Sequence, residues 1–325
     1  MKLLYPLSFI YGLITFIRNK LFDFNILKQK KYDVETISVG NLSLGGTGKT
    51  PHIEYLIEKY IKQKKIAVVS RGYGRKTKGF RYVEVEDIAE NAGDEPLQIK
   101  IKYNEIIVAV CEKRTVAIEK ILNDFPHTEL ILLDDAFQHR YVKRDLNVLL
   151  TDYSKPFWND CVLPCGSLRE FVSGYKRADV IIITKCPKII NLKIPNDVLK
   201  KNILFSSIKY GTPIIFNGKL TKKVILVTGI ANHKPFIDFV KKENFEIIHH
   251  FKFADHYNFN ISEIEKINRK LNSIGDTMIL TTEKDFMRIG NFYKNSKICI
   301  AYIPIKIEIE NEPENWFKLG NRVDR

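Results

Sequence analysis

Residues 43–50, Ser-Leu-Gly-Gly-Thr-Gly-Lys-Thr, follow an apolar run containing Ile37 and Val39 and precede a helical segment at about 51–62. That order, strand then glycine-rich turn then helix, is the context in which a Gly-Lys-Thr acts as a phosphate loop. Backbone N–H groups from Gly45, Gly46, Thr47, Gly48 and Lys49 could cradle a polyphosphate such as ATP. Lys49 would reach the outer phosphates and Thr50 would offer its hydroxyl to Mg²⁺. The usual pattern has glycine five positions before Gly48, and here that residue is Ser43. The competing reading is a glycine-rich connection in which Gly-Lys-Thr is incidental.

Acidic residues form the second chemical group. Glu129-Leu-Ile-Leu-Leu-Asp134-Asp135 places two adjacent carboxylates at the end of a buried strand, where one could serve Mg²⁺ and the other metal-bound water or a neighbouring base. Asp94, in Asn91-Ala-Gly-Asp-Glu-Pro96, is either the N-cap of a helix at 97–103 or the carboxylate that a phosphorylated alcohol needs beside its hydroxyl. His256 stands among acids and aromatics in a loop, Phe253-Ala-Asp-His-Tyr-Asn-Phe259; a lone histidine there is either structural or a tunable proton carrier. Arg71, Arg75, Arg169 and Glu170 fall at strand ends or loops, where arginines could grip phosphate as a fork or form surface pairs. Thr281-Thr-Glu-Lys-Asp285 ends a further strand with polar groups, which points to a cleft.

Near-continuous apolar runs at 37–40, 66–70, 106–111, 130–134, 148–152 and 180–184 predict strands buried on both faces of a parallel sheet. With the phosphate loop they predict an α/β class, a P-loop NTPase-like α/β/α sandwich with a mostly parallel sheet and the ligand at the strand C-terminal edge. A second βα pattern, strands at 224–228, 246–250 and 278–281 with helices at 235–243 and 262–272, predicts a smaller α/β domain. Segments 203–216 and 298–310 are expected to pair as an antiparallel ribbon joining the two. The expected division is 1–24, an apolar helix; 25–202, the phosphate-loop domain; 203–222, a linker strand; 223–297, the smaller domain; and 298–325, the returning strand and a tail that is polar after Trp316 and Phe317.

The first stretch is too short to span a bilayer, which takes about 20 apolar residues. At helical spacing it separates Leu3, Leu7, Ile10, Ile14, Ile17 and Leu21 from Ser8, Gly12, Thr15 and Asn19, and Arg18, Lys20, Lys28, Lys30 and Lys31 follow. That combination suits a helix lying in an anionic membrane surface, with each basic residue contributing about 1 kcal/mol, or a first helix packed on the protein's own core. The chain has 52 Lys and Arg against 38 Asp and Glu, a formal charge of +14, which favours an anionic partner. Five cysteines without a Cys-x-x-Cys pair fit a reducing cytosol. A GTPase would need Asn/Thr-Lys-x-Asp, and Thr184-Lys-Cys-Pro187 lacks the Asp. No zinc module or RNA-binding aromatic motif supports a nucleic-acid partner.

Taken together, SVGNLSLGGTGKTP, VVSRGYGRK, AGDEP, LLDDAFQHR, LPCGSLRE, VTGIANHKPF, FADHYNF and TTEKDFMRI resemble the tetraacyldisaccharide 4′-kinase (lipid A 4′-kinase) family over nearly the whole chain. The resemblance implies a peripheral enzyme on the cytoplasmic face of a Gram-negative inner membrane. It would transfer the ATP γ-phosphate to the 4′-hydroxyl of a tetraacylated glucosamine disaccharide 1-phosphate, giving lipid IVA. It implies Lys49 and Thr50 at the phosphates and Mg²⁺, Asp134 and Asp135 as the metal-side pair, and Asp94 with His256 as the base. Arg169 and Glu170 would complete the site, Glu170 on the metal side, with Gln138, Arg71 and Arg114 contacting substrate or phosphate. No obligate protein partner is implied. His233, Lys234 and Cys165 depart from the family pattern without touching that chemistry.

Overall fold

The computed structural model describes residues 4–255 and 257–317. In chain order the elements are α1 (Tyr5–Asp23), β1 (Glu35–Asn41), α2 (Lys49–Tyr60), β2 (Ile66–Ser70), β3 (Arg81–Tyr82), α3 (Ala89–Ala92), α4 (Asp94–Lys102), β4 (Ile107–Val110), α5 (Arg114–Asp124), β5 (Leu130–Asp134), β6 (Leu146–Asp152), β7 (Val180–Thr184), α6 (Asn196–Leu199) and β8 (Asn202–Tyr210). The chain continues through β9 (Ile214–Asn217), β10 (Lys223–Thr228), α7 (Lys234–Lys242), β11 (Glu246–Lys252), α8 (Ile261–Ile274), β12 (Met278–Thr282), α9 (Glu283–Ile289), β13 (Ile300–Ile303) and β14 (Ile305–Glu310).

The strands make two sheets, ordered β14-β8-β7-β6-β1-β5-β2-β4-β3 and β11-β10-β12-β13-β9. From β8 to β4 every neighbour in the larger sheet is parallel. Only β14 and β3, at its edges, run antiparallel. A parallel sheet covered by helices on both faces needs apolar side chains in both directions, and β2, β5 and β7 are buried along their whole length. Each buried aliphatic of Leu130–Leu133 is worth about 1.5–3 kcal/mol, which fixes the strand that carries Asp134. One face packs on α2 and α4 through Ile53, Leu56, Ile57 and Leu97, with Trp316 returning to close it; the other packs partly on α5 through Ala117, Ile118 and Ile121.

The two segments expected to pair as an antiparallel ribbon do pair antiparallel, and the two halves of the ribbon are edges of different sheets. β8 pairs with β14 at the edge of the larger sheet, and β9 pairs with β13 in the smaller one. The two passages between sheets run side by side, Gly211 N–H donating to Pro304 O at 2.8 Å. The backbone turns there because proline cannot extend a ladder and glycine leaves room for it.

Helix α1 inverts the usual arrangement. Its small and polar face is the one that packs: Ser8, Gly12 and Phe22 are buried, while Phe9, Ile10, Leu13, Ile14 and Ile17 are exposed, Ile14 by 62%. Gly12 lies directly on the Phe171 ring, and the Cys165 N–H donates to Ser8 Oγ at 2.9 Å. None of the described helices is long and apolar enough to cross a membrane.

Gly40 ends the run into the phosphate loop with no room for a side chain: a Cβ there would lie 2.7 Å from Phe137 Cβ and 2.8 Å from its N. Gly40→Ala is expected to cost about 1–3 kcal/mol, because the neighbour is backbone that cannot yield. Urea unfolding should show a lower midpoint with an unchanged slope; an unaltered midpoint would mean that β1 and the 136–138 turn can separate freely.

Candidate active site

Strand β1 delivers the chain into the turn at 42–48, and α2 leaves it. Gly48 caps α2 at φ +85° and Gly45 sits at φ +110°, conformations that a side chain makes costly. Open space lies where side chains at Gly45 and Gly46 would project, so no protein atom fills that side of the turn. Buried Asn41 steadies the turn, its Nδ2 donating to Thr47 Oγ1 at 2.9 Å, while Leu44 N–H donates to Ser167 O at 2.7 Å. His52, one turn into α2, joins Gly48 O at 2.6 Å and Ser206 Oγ at 3.0 Å; burial pulls its pKa down to about 4, so a neutral imidazole holds α2 against β8.

The carboxylates at the end of β5 face that cradle's lysine. Asp135, at φ +44°, pairs with Arg169 Nη1 at 2.8 Å and lies 3.9 Å from Lys49 Nζ. Burial raises its carboxyl pKa, but Lys49, Arg169 and Arg114 outweigh burial and hold it below the ordinary range. Asp134 is deeper. Its Oδ2 accepts from Ser70 Oγ at 2.9 Å, whereas Oδ1 is buried with no hydrogen-bond partner. Burial, with Glu95 and Asp135 nearby, drives this carboxyl well upward. Thr50 is buried at the start of α2. Among the described residues no group of three or more His, Cys, Asp or Glu could hold a metal alone. Mg²⁺ commonly takes one or two carboxylates, with phosphates and water supplying the rest, and an orphaned buried carboxylate oxygen beside a phosphate cradle fits that demand.

The remaining cations divide. Arg114 is buried and donates to the backbone carbonyls of Cys111, Glu112 and Asp134 at 3.2–3.3 Å, fastening the ends of β4 and β5 while adding charge beside the acids. Arg71 is exposed just past β2. Gln138 spends its amide nitrogen on Asn41 O at 2.9 Å and Glu170 Oε1 at 3.1 Å. Glu170, expected on the metal side, is instead occupied by donors of the protein: Asn19 at 2.7 Å, Arg177 at 2.7 Å and Gln138. Its carboxylate ties α1 to the turn that carries Arg169, and its sequence neighbour alone faces the acids.

Asp94 is not an N-cap. Gly93 caps α4 at φ +92°, and Asp94 is the first helical residue, ion-paired with Arg288 of α9. Arg288 also reaches Asp285, whose carboxylate accepts from Gly229 N–H at 2.9 Å. The same interface holds Lys284 3.5 Å from Glu95, and Lys102 2.6 Å from Glu54 and 3.4 Å from Glu283. Thus α4 is clamped between the phosphate-loop helix and the smaller sheet. The expected partner of Asp94, His256, lies outside the described residues. Sequence reading missed Arg288, although TTEKDFMRI contains it, because nothing in the spacing showed which arginine crosses between the sheets.

A family model described as Tetraacyldisaccharide-1-P 4'-kinase matches residues 1–323. The tetraacyldisaccharide 4'-kinase of Cytophaga hutchinsonii is 38% identical, covering 99% of this chain and 97% of that protein. That of Phocaeicola vulgatus is 40% identical over 97% of this chain and 93% of its own length. Among solved structures, a crystal structure of LpxK from Aquifex aeolicus in complex with ATP superposes with a TM-score of 0.80 at 29% identity, covering 98% of this chain and 97% of that one.

The elevated Asp134 carboxyl makes a pH prediction. Below the unfolded value near 3.8 the group is protonated in both states and costs nothing. As pH rises above that, the unfolded chain ionises first, so the native state loses stability until the folded group also ionises. Asp134→Asn should therefore unfold at higher urea than the parent at pH 8 without added metal, the two converging near pH 4. A parent midpoint that does not fall relative to the variant across this range would show that the carboxyl is not elevated.

Proposed function

This chain belongs to the tetraacyldisaccharide-1-P 4'-kinase family, and from that premise we propose that it phosphorylates the 4′-hydroxyl of a tetraacylated glucosamine disaccharide 1-phosphate with ATP, giving lipid IVA. The observation that carries this reading is the open glycine cradle with Lys49, Asp135 and Arg169 converging beside it. Gly45 to Lys49 hold the polyphosphate by backbone N–H groups, and Lys49 and Arg169 offset charge on the transferred phosphoryl. Thr50 and the unpaired oxygen of Asp134 would hold Mg²⁺, which supplies further neutralisation of the outer phosphate oxygens when bound. Asp135, held by two cations, fixes Lys49 and Arg169 rather than adding a free charge. Arg71 and Arg114 extend the positive field, and Gln138 and Glu170 hold the Arg169 turn in register.

In the reaction the sugar hydroxyl oxygen attacks the γ-phosphorus, its O–P bond forming as the bond to the bridging oxygen of ADP breaks. Asp94 receives the hydroxyl proton, His256 being the group proposed to assist it. Because Asp94 lies at the contact between α4 and α9, units 25–202 and 223–297 are proposed to close around the lipid headgroup, with Arg288 orienting the carboxylate. The exposed apolar face of α1 and its basic flank are proposed to rest in the cytoplasmic leaflet of a Gram-negative inner membrane.

Incubated in detergent with γ-labelled ATP, Mg²⁺ and the disaccharide, the protein should label the lipid, and Lys49→Ala should not. Asp94→Asn is expected to lower kcat by about 10²–10⁴ with ATP affinity retained; parallel loss of ATP binding would make Asp94 a wall of the pocket. For the helix, replacing Ile10, Ile14 and Ile17 by Ser should shift the protein from floating with anionic vesicles to remaining in solution, whereas unchanged flotation would remove α1 as the anchor.

A further inference from the structure

Asp135 leaves β5 in a left-handed backbone and opens a turn, 135–143, that forms neither helix nor strand. Four of its carbonyls face one side chain. Arg144 Nη1 donates to His139 O at 3.3 Å and Val142 O at 3.1 Å, and Nη2 donates to Ala136 O at 3.4 Å and Phe137 O at 3.0 Å. The base of that side chain is fixed from both flanks. Lys143 N–H donates to Lys30 O at 2.9 Å, and the Asp145 carboxylate accepts from Thr36 N–H, at the start of β1, at 2.9 Å. Arg177 and Arg140 stand close enough to disfavour a third cation, so the guanidinium is kept in place by the carbonyls it gathers.

The gathered turn touches the approach to the phosphate loop at two points. A Cβ at Gly40 would lie 2.8 Å from Phe137 N, and Gln138 Nε2 donates to the carbonyl of Asn41, whose own side chain steadies Thr47. The first residue of the turn, Asp135, holds Arg169 and faces Lys49. A displaced turn would therefore move the carboxylate and both cations relative to bound phosphates. We propose that Arg144 is a positioning residue for phosphoryl transfer, its guanidinium setting the turn that presents Asp135 to Lys49 and Arg169. This rests on the reading of 43–50 as the ATP phosphate loop. A planar fork with donors on two nitrogens serves carbonyls from both limbs of the turn, whereas a lysine ammonium is a point charge on a stem. Arg144 acts through Asp135, where a misplacement of about 1 Å is enough to cost about 10²-fold in rate.

The test compares Arg144→Ala and Arg144→Lys with the parent, as full chains in detergent, by lipid labelling from γ-labelled ATP and by hydrogen exchange of peptides spanning 136–143. We expect kcat to fall about 10–100-fold in Arg144→Ala, with KM for ATP rising by less than kcat falls. Exchange should quicken in the turn while the rest of the larger sheet stays protected. Because Arg144 is half-buried, its vacancy opens to solvent, and millimolar guanidinium should recover most of the lost kcat while ammonium does not. Arg144→Lys keeps the charge and most of the length, so it carries the comparison even where truncation prevents folding, and its kcat should fall by a similar factor. An unchanged kcat in either folded variant, a loss that guanidinium leaves in place, or equal rescue by ammonium would overturn the role. A parent that labels no lipid, with the turn still loosened by Arg144→Ala, would instead overturn the kinase reading beneath it.

Discussion

Two adjacent carboxylates at the end of a strand with no exposed residue need positive charge brought to them, and most of the larger sheet's C-terminal edge is arranged to supply it. Lys49 comes from the first turn of α2, Arg169 from the loop after β6, and Arg114 from the first residue of α5. The cations go to Asp135, which the left-handed backbone swings out of the strand; Asp134 stays inside with one oxygen unpaired. That asymmetry separates the pair into an anchored anion and a vacant acceptor, a distinction invisible when the two are only neighbours in a sequence.

The second constraint is the attachment of the smaller sheet. Its chain enters from β8 into the edge strand β9 and returns from β13 into the edge strand β14, so two short passages run side by side between the sheets. Across the gap charged groups meet, Arg288 with Asp94, Lys284 with Glu95, and Lys102 between Glu54 and Glu283, while Tyr210 at the end of β8 stacks on Phe239 of α7. Arg288, Asp94, Glu54 and Glu283 are almost wholly enclosed, so parting these pairs would strand buried charge at about 3–5 kcal/mol each, which favours the closed joint. Burial raises the Glu54 and Glu283 carboxyls, and the Lys102 ammonium that they share works against that rise.

Much of this architecture was legible in the chain. The phosphate loop, the Asp134-Asp135 strand end and the apolar runs at 66–70, 130–134 and 180–184 emerged from spacing alone, because strand burial on both faces leaves a signature that needs no partner to interpret. Long-range choices were hidden. The resemblance put Glu170 on the metal side; that Asn19, Arg177 and Gln138 would donate to it depends on three separate folds of the chain. Asp94 read equally as a cap or as a base, and the fold resolved the cap by giving that position to Gly93 and the first helical position to Asp94.

Glu170 also gives α1 a mechanical meaning. The helix is fastened by Asn19 to Glu170, beside Arg169, and by Arg18 to Gln138 O and Arg140 to Asp23, both in the turn after β5. There is no slack tether between the apolar face and the phosphate cradle. A protein resting on α1 would hold its reacting phosphate at a set height and tilt above the leaflet, searching for lipid in two dimensions with its depth gauge built in. Acyl chains could then remain in the bilayer while the sugar is raised by a distance that side-chain lengths, rather than thermal wandering of a linker, determine.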